Sequence, residues 1–168
     1  MKATPIAVLL CLALAVAGCG DDDATTDATT QAGGSASAES GAEATERTKP
    51  KVTAPQGSPP RKLVEKDLIE GTGPVAKAGD EVTVQYVGIG YDSGKEFDAS
   101  WDRGEPFSFS LGAGEVIPGW DQGVEGMKVG GQRELNVPAN LAYGSAGFPP
   151  AIGPNEALVF VIDLLEVN

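Results

Sequence analysis

The feature that most limits how this chain can fold is a change in composition near residue 60. Residues 20–60 are rich in Ala, Thr, Ser, Gly and Asp, end with four prolines, and contain few large apolar side chains. Such a segment buries too little apolar surface to offset the entropy lost on ordering. The aromatic side chains all follow residue 85, where enough chain remains for one small core. The composition therefore predicts a disordered linker over residues 19–60 and one folded domain over residues 61–168.

The pattern after residue 61 is that of a sheet with one short helix. Apolar residues alternate with polar ones at Val82, Val84 and Tyr86, which indicates a strand with one buried face. Residues 157–167 are almost continuously apolar, which fits a central strand. The only predicted helix, residues 119–125, is too short to be stable alone. We expect an α+β domain whose five- to six-stranded antiparallel sheet wraps around that helix, with strands over residues 63–70, 80–89, 95–98, 106–111, 130–137 and 157–167.

The first residues are typical of an exported protein. Lys2 precedes an apolar run of 11 residues, 6–16, which is too short to span a bilayer. The run ends in Val16-Ala-Gly-Cys19, and small residues before a cysteine resemble the lipobox of bacterial lipoproteins. The resemblance implies a signal peptide over residues 1–18, lipidation of Cys19, and a membrane-anchored lipoprotein on the extracytoplasmic side, periplasmic or at the cell surface. The alternative is a plain secretory signal with an incidental cysteine.

The composition excludes several kinds of chemistry. The chain has no histidine, so Ser–His–Asp catalysis, Cys–His catalysis and histidine-based zinc sites are ruled out. Both cysteines, Cys11 and Cys19, precede the predicted domain, so we expect no disulfide within it. A net charge of −12 argues against a nucleic-acid partner. The acidic run Asp21-Asp-Asp23 is interpreted as a solvated spacer because no calcium-ligand loop follows it. We expect no metal and no cofactor.

The candidate active region is Glu115-Val-Ile-Pro-Gly-Trp-Asp-Gln-Gly-Val-Glu-Gly-Met127, followed by Leu141-Ala-Tyr-Gly144. It offers aromatic rings and tight turns but no nucleophile with a base, so its pocket could grip an apolar group and exclude water. Other distinctive blocks are Val84-Gln-Tyr-Val-Gly88, Gly94-Lys-Glu-Phe-Asp98, Pro106-Phe107 and Leu158-Val-Phe160. With these blocks in this order, residues 65–168 resemble the FK506-binding protein (FKBP) family of peptidyl-prolyl cis-trans isomerases.

The resemblance implies a role for each matching residue. Trp120 would form the floor of an apolar pocket for the proline ring. Asp98 would lie at the rim and accept hydrogen bonds from Tyr86 and Arg103. The hydroxyl of Tyr143 and the backbone N–H of Ile117 would donate to substrate carbonyls. The implied catalytic residues are Asp98, Tyr143, Trp120 and Phe97, and the implied substrate-binding residues are Tyr86, Phe107, Val116, Ile117, Phe148, Ile152, Phe160 and Arg103.

Three residues depart from the pattern that many members of the family have. Phe148 stands where members often carry histidine, Ala151 replaces a larger aliphatic residue, and Pro118 stands where many members have a charged residue. Pro118 suits a helix entry because its φ is preset there and its missing N–H is not needed. Phe148 and Ala151 belong to a loop expected to overhang the pocket, so they bear on which residue is preferred before proline.

Taken together, the resemblance predicts an isomerase that accelerates X–Pro rotation in exported proteins by favouring the twisted amide in an apolar pocket. The implied partners are proline-containing unfolded or extended polypeptides, FK506- or rapamycin-like macrolides, and the membrane through the N-terminal lipid; we expect a monomer. Two alternatives are a non-catalytic, chaperone-like module that holds proline-containing segments and a structural lipoprotein that docks a fixed partner. The joint presence of Asp98, Tyr143 and Trp120 favours the enzyme.

Overall fold

The computed structural model of the protein describes residues 47–168, which contain a six-stranded sheet and two short α-helices. The predicted α+β class is confirmed, and each strand lies within two residues of its predicted bounds. The one-turn helix α1 is not among the predicted elements, because four residues carry no helical periodicity. The elements are β1 (Val64–Ile69), β2 (Glu81–Gly90), β3 (Glu96–Ala99), α1 (Ser100–Arg103), β4 (Phe107–Ser110), α2 (Pro118–Val124), β5 (Gln132–Val137), a 3-10 turn (Ala139–Leu141) and β6 (Leu158–Val167).

The strands pair antiparallel in the order β1-β5-β6-β2-β3, and β4 also pairs with β2. Strand β6 lies at the centre, as its apolar sequence predicts. The register of β2 against β6 shifts between Thr83 and Val84, which marks a bulge. The first half of β2 pairs with β4 and the second half with β3, so both short strands lie along one edge of the central pair.

Both faces of the central strands are apolar. Because side chains alternate along a strand, even- and odd-numbered residues of β2 and β6 face opposite sides. The even-numbered set lies in the main core, which α2 covers: Val82, Val84, Tyr86, Leu158, Phe160, Ile162 and Leu164. The odd-numbered set, with neighbouring residues, forms a second cluster on the other face: Val87, Ile89, Tyr91, Ala99, Ala157 and Val159.

Helix α2 lies close to the sheet because two glycines face β5. A Cβ on Gly119 would lie 2.4 Å from Cγ1 of Val137, and one on Gly123 would lie 2.7 Å from Cδ1 of Leu135. Any larger residue would force the helix away from the strand, since protein interiors are close-packed. Glycine weakens a helix intrinsically, so this short helix depends on its packing against the sheet.

Residues 47–60, which we name the N-terminal strap, lie against the second face of the sheet. Val52 and Ala54 pack against the second cluster. At the beginning of the strap, the guanidinium of Arg47 pairs with the fully buried carboxylate of Asp163 on β6 at 2.8 Å. The strap therefore contributes both apolar cover and a charge to the folded domain.

The contacts of the strap correct the predicted domain boundary. The composition predicts disorder up to residue 60, but residues 47–60 lie against the sheet, because the second apolar face supplies the buried surface that the strap's own sequence lacks. The predicted signal peptide, the predicted lipidation site Cys19 and the linker up to residue 46 lie outside the described residues. Within residues 47–168, no helix is long and apolar enough to cross a membrane.

Candidate functional site

A cavity of about 380 Å³ opens between the sheet and the beginning of α2. Its lining residues come from four strands, one helix and two loops, so only the folded chain brings them together. Nine of the twelve residues predicted for the site line this cavity: Tyr86, Phe97, Asp98, Phe107, Val116, Ile117, Trp120, Tyr143 and Phe160.

Trp120, in the first turn of α2, forms the floor of the cavity and is only 4% exposed. Its ring centroid lies 4.9 Å from that of Tyr86 and 5.2 Å from that of Phe160, both edge to face. Phe107 stacks on Phe109 with centroids 5.7 Å apart and also meets Trp120 edge to face. Edge-to-face pairs are favourable and fix ring orientation, so the floor and walls form one continuous aromatic surface.

Gly88 in β2 makes room for the aromatic wall formed by Phe97 and Phe160. The two rings meet edge to face at 5.7 Å. A Cβ on Gly88 would lie 2.7 Å from Cζ of Phe97 and 2.8 Å from Cε1 of Phe160. Gly88 is not among the predicted site residues, although it belongs to one of the blocks that resemble the FKBP family. Its importance depends on contacts between strands, which a single sequence does not display.

Three hydrogen-bonded side chains form the polar edge of the cavity. The hydroxyl of Tyr86 donates to Oδ2 of Asp98, and Arg103 donates to Oδ1 of Asp98 at 2.5 Å and to the hydroxyl of Tyr86 at 3.0 Å. Burial and then the bond to Asp98 raise the pKa of Tyr86 to about 12. The hydroxyl therefore stays protonated at neutral pH and holds the carboxylate in place. The predicted contacts of Asp98 with Tyr86 and Arg103 are thus present.

Tyr143, just after the 3-10 turn, brings a second hydroxyl to the cavity. Partial burial and then the nearby charge of Asp98 raise the pKa of Tyr143. The hydroxyl therefore remains a donor at neutral pH. Within residues 47–168 it has no hydrogen-bond partner, which leaves it available to a bound molecule.

The loop before α2 presents a backbone donor. Ile117 is the N-cap of α2, and its N–H donates no hydrogen bond within the described part of the chain, as is common where a helix begins. The loop is held by Asp121, whose carboxylate accepts from the N–H groups of Gly112 at 2.9 Å and Gly114 at 3.1 Å. The free donor is thus fixed at the cavity wall.

Three of the predicted residues do not line the cavity. Phe148 is 60% exposed and packs on Tyr143 with ring centroids 5.6 Å apart, so it lies at the rim. Ile152 is 2% exposed and belongs to the main core, because the bridge between Phe148 and Ile152 folds the loop back and turns Ile152 inward. Its assignment to the substrate-binding residues stays a prediction. Arg103 reaches the cavity only through Asp98 and Tyr86.

Glu115 lines the cavity but is not among the predicted site residues. It is exposed, and its carboxylate accepts a hydrogen bond from the N–H of Ser110 at 2.9 Å. Its position directly before Val116 is the signal that could have identified it. Within residues 47–168, no group of three or more Cys, Asp or Glu side chains is placed to hold a metal ion. The cavity can hold a small apolar ring and orient polar groups attached to it.

Comparison with known proteins relates residues 73–165 to a family described as FKBP-type peptidyl-prolyl cis-trans isomerase. An FK506-binding protein of Streptomyces anulatus is 59% identical over 120 residues, which are 71% of this chain and 97% of that protein. A Saccharomyces cerevisiae protein named as a peptidyl-prolyl cis-trans isomerase is 51% identical over 93 residues, 55% of this chain and 69% of its own. The crystal structure of FkpA from Escherichia coli matches with a TM-score of 0.58 and 47% identity, over 63% of this chain and about half (48%) of FkpA.

Proposed function

Because the chain belongs to the family of FKBP-type peptidyl-prolyl cis-trans isomerases, we propose that the cavity around Trp120 is where it accelerates rotation about X–Pro bonds. One observation carries this proposal: the same cavity is lined by the aromatic surface and by two unpaired hydrogen-bond donors, the hydroxyl of Tyr143 and the N–H of Ile117. A proline ring would rest on Trp120, and the donors would hold the carbonyls on either side of it.

The catalysis we propose is physical rather than covalent. Rotation about a prolyl bond is opposed by a barrier of about 18–20 kcal/mol, because resonance makes the C–N bond partly double. The planar amide is more polar than the twisted one, so an apolar cavity solvates the planar ground state poorly and favours the twisted transition state. Fixed donors at Ile117 and Tyr143 orient the chain, and Asp98 at the edge polarises the bound amide. No bond is made or broken.

We extend the proposal to ligands and to the residue before proline. The relative in Streptomyces anulatus is named for binding FK506, and the same aromatic cavity in this chain suits FK506- or rapamycin-like macrolides. The exposed ring of Phe148, packed on Tyr143 at the rim, offers an apolar surface to the residue that precedes proline. The described residues complete the cavity within one chain, which supports action as a monomer.

The test is a protease-free isomerisation assay on the full-length chain with tetrapeptides that differ only before proline. We expect faster cis–trans exchange, the largest kcat/KM for large apolar residues before proline, and inhibition by FK506. The alternative, a module that holds proline-containing segments without turnover, predicts FK506 binding with no acceleration. Absence of both acceleration and FK506 binding at micromolar concentration would refute the proposed role of the cavity.

We also propose that the protein is exported and anchored through a lipid on Cys19, where it would act on unfolded proteins outside the cytoplasm. The support is the apolar run of residues 6–16 that ends in Val16-Ala-Gly-Cys19. Uncatalysed prolyl isomerisation takes tens of seconds or more, so it limits folding outside the cytoplasm as well as inside.

Cys19→Ser should move the protein from the membrane fraction to the soluble fraction when the gene is expressed in a bacterium that processes lipoproteins. The matched control is Cys11→Ser, which changes the other cysteine and should leave the protein with the membranes. Fractionation followed by mass spectrometry of the N-terminal peptide measures both location and lipid. Membrane association that persists in Cys19→Ser would show that the anchor is not at this residue.

A further inference from the structure

Through Lys49, the N-terminal strap contacts the segment of chain that contains the cavity residues Phe97 and Asp98. Its Nζ donates to Oε1 of Glu96 and to Oδ1 of Asp102, both at 2.7 Å. Glu96 begins β3 and Asp102 lies in α1. One ammonium group therefore joins the two ends of a short segment, residues 96–102, and ties both ends to the strap.

This segment carries much of the cavity's polar edge. Phe97 and Asp98 lie between the two carboxylates and line the cavity. Arg103 follows Asp102 directly and donates to Asp98. The middle of the segment is held by Ser100, which is fully buried and whose hydroxyl accepts a hydrogen bond from the N–H of Tyr86 at 2.8 Å. Regular structure adds little at the two ends, because β3 forms only three residue pairs with β2, with a register shift between them, and α1 is a single turn. The hydrogen bonds from Lys49 to Glu96 and Asp102 therefore restrain the two ends of the segment, on either side of the part that Ser100 holds.

The strap is itself anchored, so Lys49 is presented from a fixed backbone. Two residues before it, Arg47 donates to Asp163 at 2.8 Å and to the carbonyl oxygen of Gly130 at 2.6 Å. Three residues after it, Val52 packs against the second cluster. The hydrogen bonds to Asp102 and then Glu96 raise the pKa of Lys49, which is consistent with an ammonium group held by both carboxylates.

We propose that Lys49 is a positioning residue of the isomerase. It holds residues 96–102 so that Asp98 and Arg103 keep their hydrogen bonds to each other and to Tyr86 at the edge of the cavity. The inference rests on the proposed function, in which Asp98 acts on the bound amide. Lys49 touches no substrate; it acts through the segment that carries Asp98. Because small errors in position at a reacting centre lower rates, its loss reduces turnover although both ion pairs are at the surface.

The test compares Lys49→Ala with Lys49→Arg and with the matched control Lys51→Ala in the full-length chain. Lys51 is an exposed lysine two residues along the same strap. We expect Lys49→Ala to lower kcat/KM about threefold to tenfold, Lys49→Arg to restore most of it, and Lys51→Ala to change nothing. The urea midpoints of Lys49→Ala and Lys51→Ala should agree, so that a loss of rate is not a loss of folded protein.

Two further readouts separate positioning from general stability. Nuclear magnetic resonance signals of the Arg103 guanidinium and the Tyr86 ring should shift in Lys49→Ala but not in Lys51→Ala. The double variant Glu96→Gln/Asp102→Asn should lower kcat/KM as much as Lys49→Ala does. Adding Lys49→Ala to the double variant should lower kcat/KM no further, since the effects of substitutions at interacting residues are not additive.

The outcomes also separate this inference from the proposed function. If Asp98→Val lowers turnover but Lys49→Ala behaves like Lys51→Ala, Lys49 is not a positioning residue and the role of the cavity stands. If Asp98→Val is without effect, the role of Asp98 fails first and the inference fails with it. An equal loss of rate in Lys49→Ala and Lys51→Ala would point to the charge of the strap in general, which also overturns the inference.

Discussion

Asp98→Val is expected to lower kcat/KM for a proline tetrapeptide by about tenfold to a hundredfold, which corresponds to losing one charged hydrogen-bonding group in the transition state. The carboxylate of Asp98 holds two donors, Tyr86 and Arg103, at the edge of the cavity. Valine has a similar shape but accepts no hydrogen bond. The polar edge of the cavity therefore loses a negative charge, and the side chains of Tyr86 and Arg103 lose the acceptor that holds them. The fold should persist, because the side chain of Asp98 is 43% exposed.

Two further variants test why Asp98→Val loses activity. Asp98→Asn retains an acceptor for Tyr86 without the charge, so it should lose less activity than valine if hydrogen bonding contributes beside charge. Asp92→Val makes the same substitution at an exposed turn residue and should leave kcat/KM unchanged. Circular dichroism and urea unfolding monitor the fold in each variant. Unchanged turnover in Asp98→Val would remove Asp98 from the catalytic residues.

Arg47→Ala is expected to lower the free energy of unfolding by about 2–4 kcal/mol, which is large for a residue so near the edge of the domain. Asp163 is fully buried on β6, and its charged partner in the strap is Arg47 at 2.8 Å. Removing Arg47 leaves a buried carboxylate with hydrogen bonds from Gln132, at 3.0 and 3.1 Å, as its remaining support. The carbonyl of Gly130 also loses a donor.

A matched control and a rescue variant test the cause of this destabilisation. Arg61→Ala removes an exposed arginine and should change the urea midpoint little. Asp163→Asn added to Arg47→Ala should recover part of the loss, because the unpaired buried charge is then gone. Equal midpoints for Arg47→Ala and Arg61→Ala would show that the pair with Asp163 does not hold the strap. A chain shortened to residues 61–168 should lose at least as much stability as Arg47→Ala.

The main features of the sheet could be predicted from local pattern. Alternation at Val82, Val84 and Tyr86 identified the buried face of β2, and the apolar run of residues 157–167 identified the central strand. Both signals depend on residues close together in the chain, which is why their bounds agree with the structure within two residues. Helix α2 carried a weaker signal, since Gly119 and Gly123 lower helix propensity and their close approach to β5 is visible only in the fold.

Some residues of the candidate site could be predicted from the sequence and others could not. The aromatic residues that line the cavity were identified through their resemblance to a family. The burial of Ile152 in the core could not be predicted, because the bridge that turns it inward depends on how the loop folds back. Gly88 and Glu115 were missed, since their importance lies in what neighbouring strands and loops bring near them.

Residue types and their spacing were sufficient to predict a histidine-free, strand-rich domain, because composition and periodicity are properties of the chain itself. Packing in three dimensions was needed to reveal the strap. Arg47, Lys49 and Val52 lie in a stretch whose own composition indicates disorder, and they are ordered by Asp163, by Glu96 and by an apolar face formed far away in the sequence. Burial is a property of the neighbours a residue acquires, and those neighbours exist only once the sheet has formed.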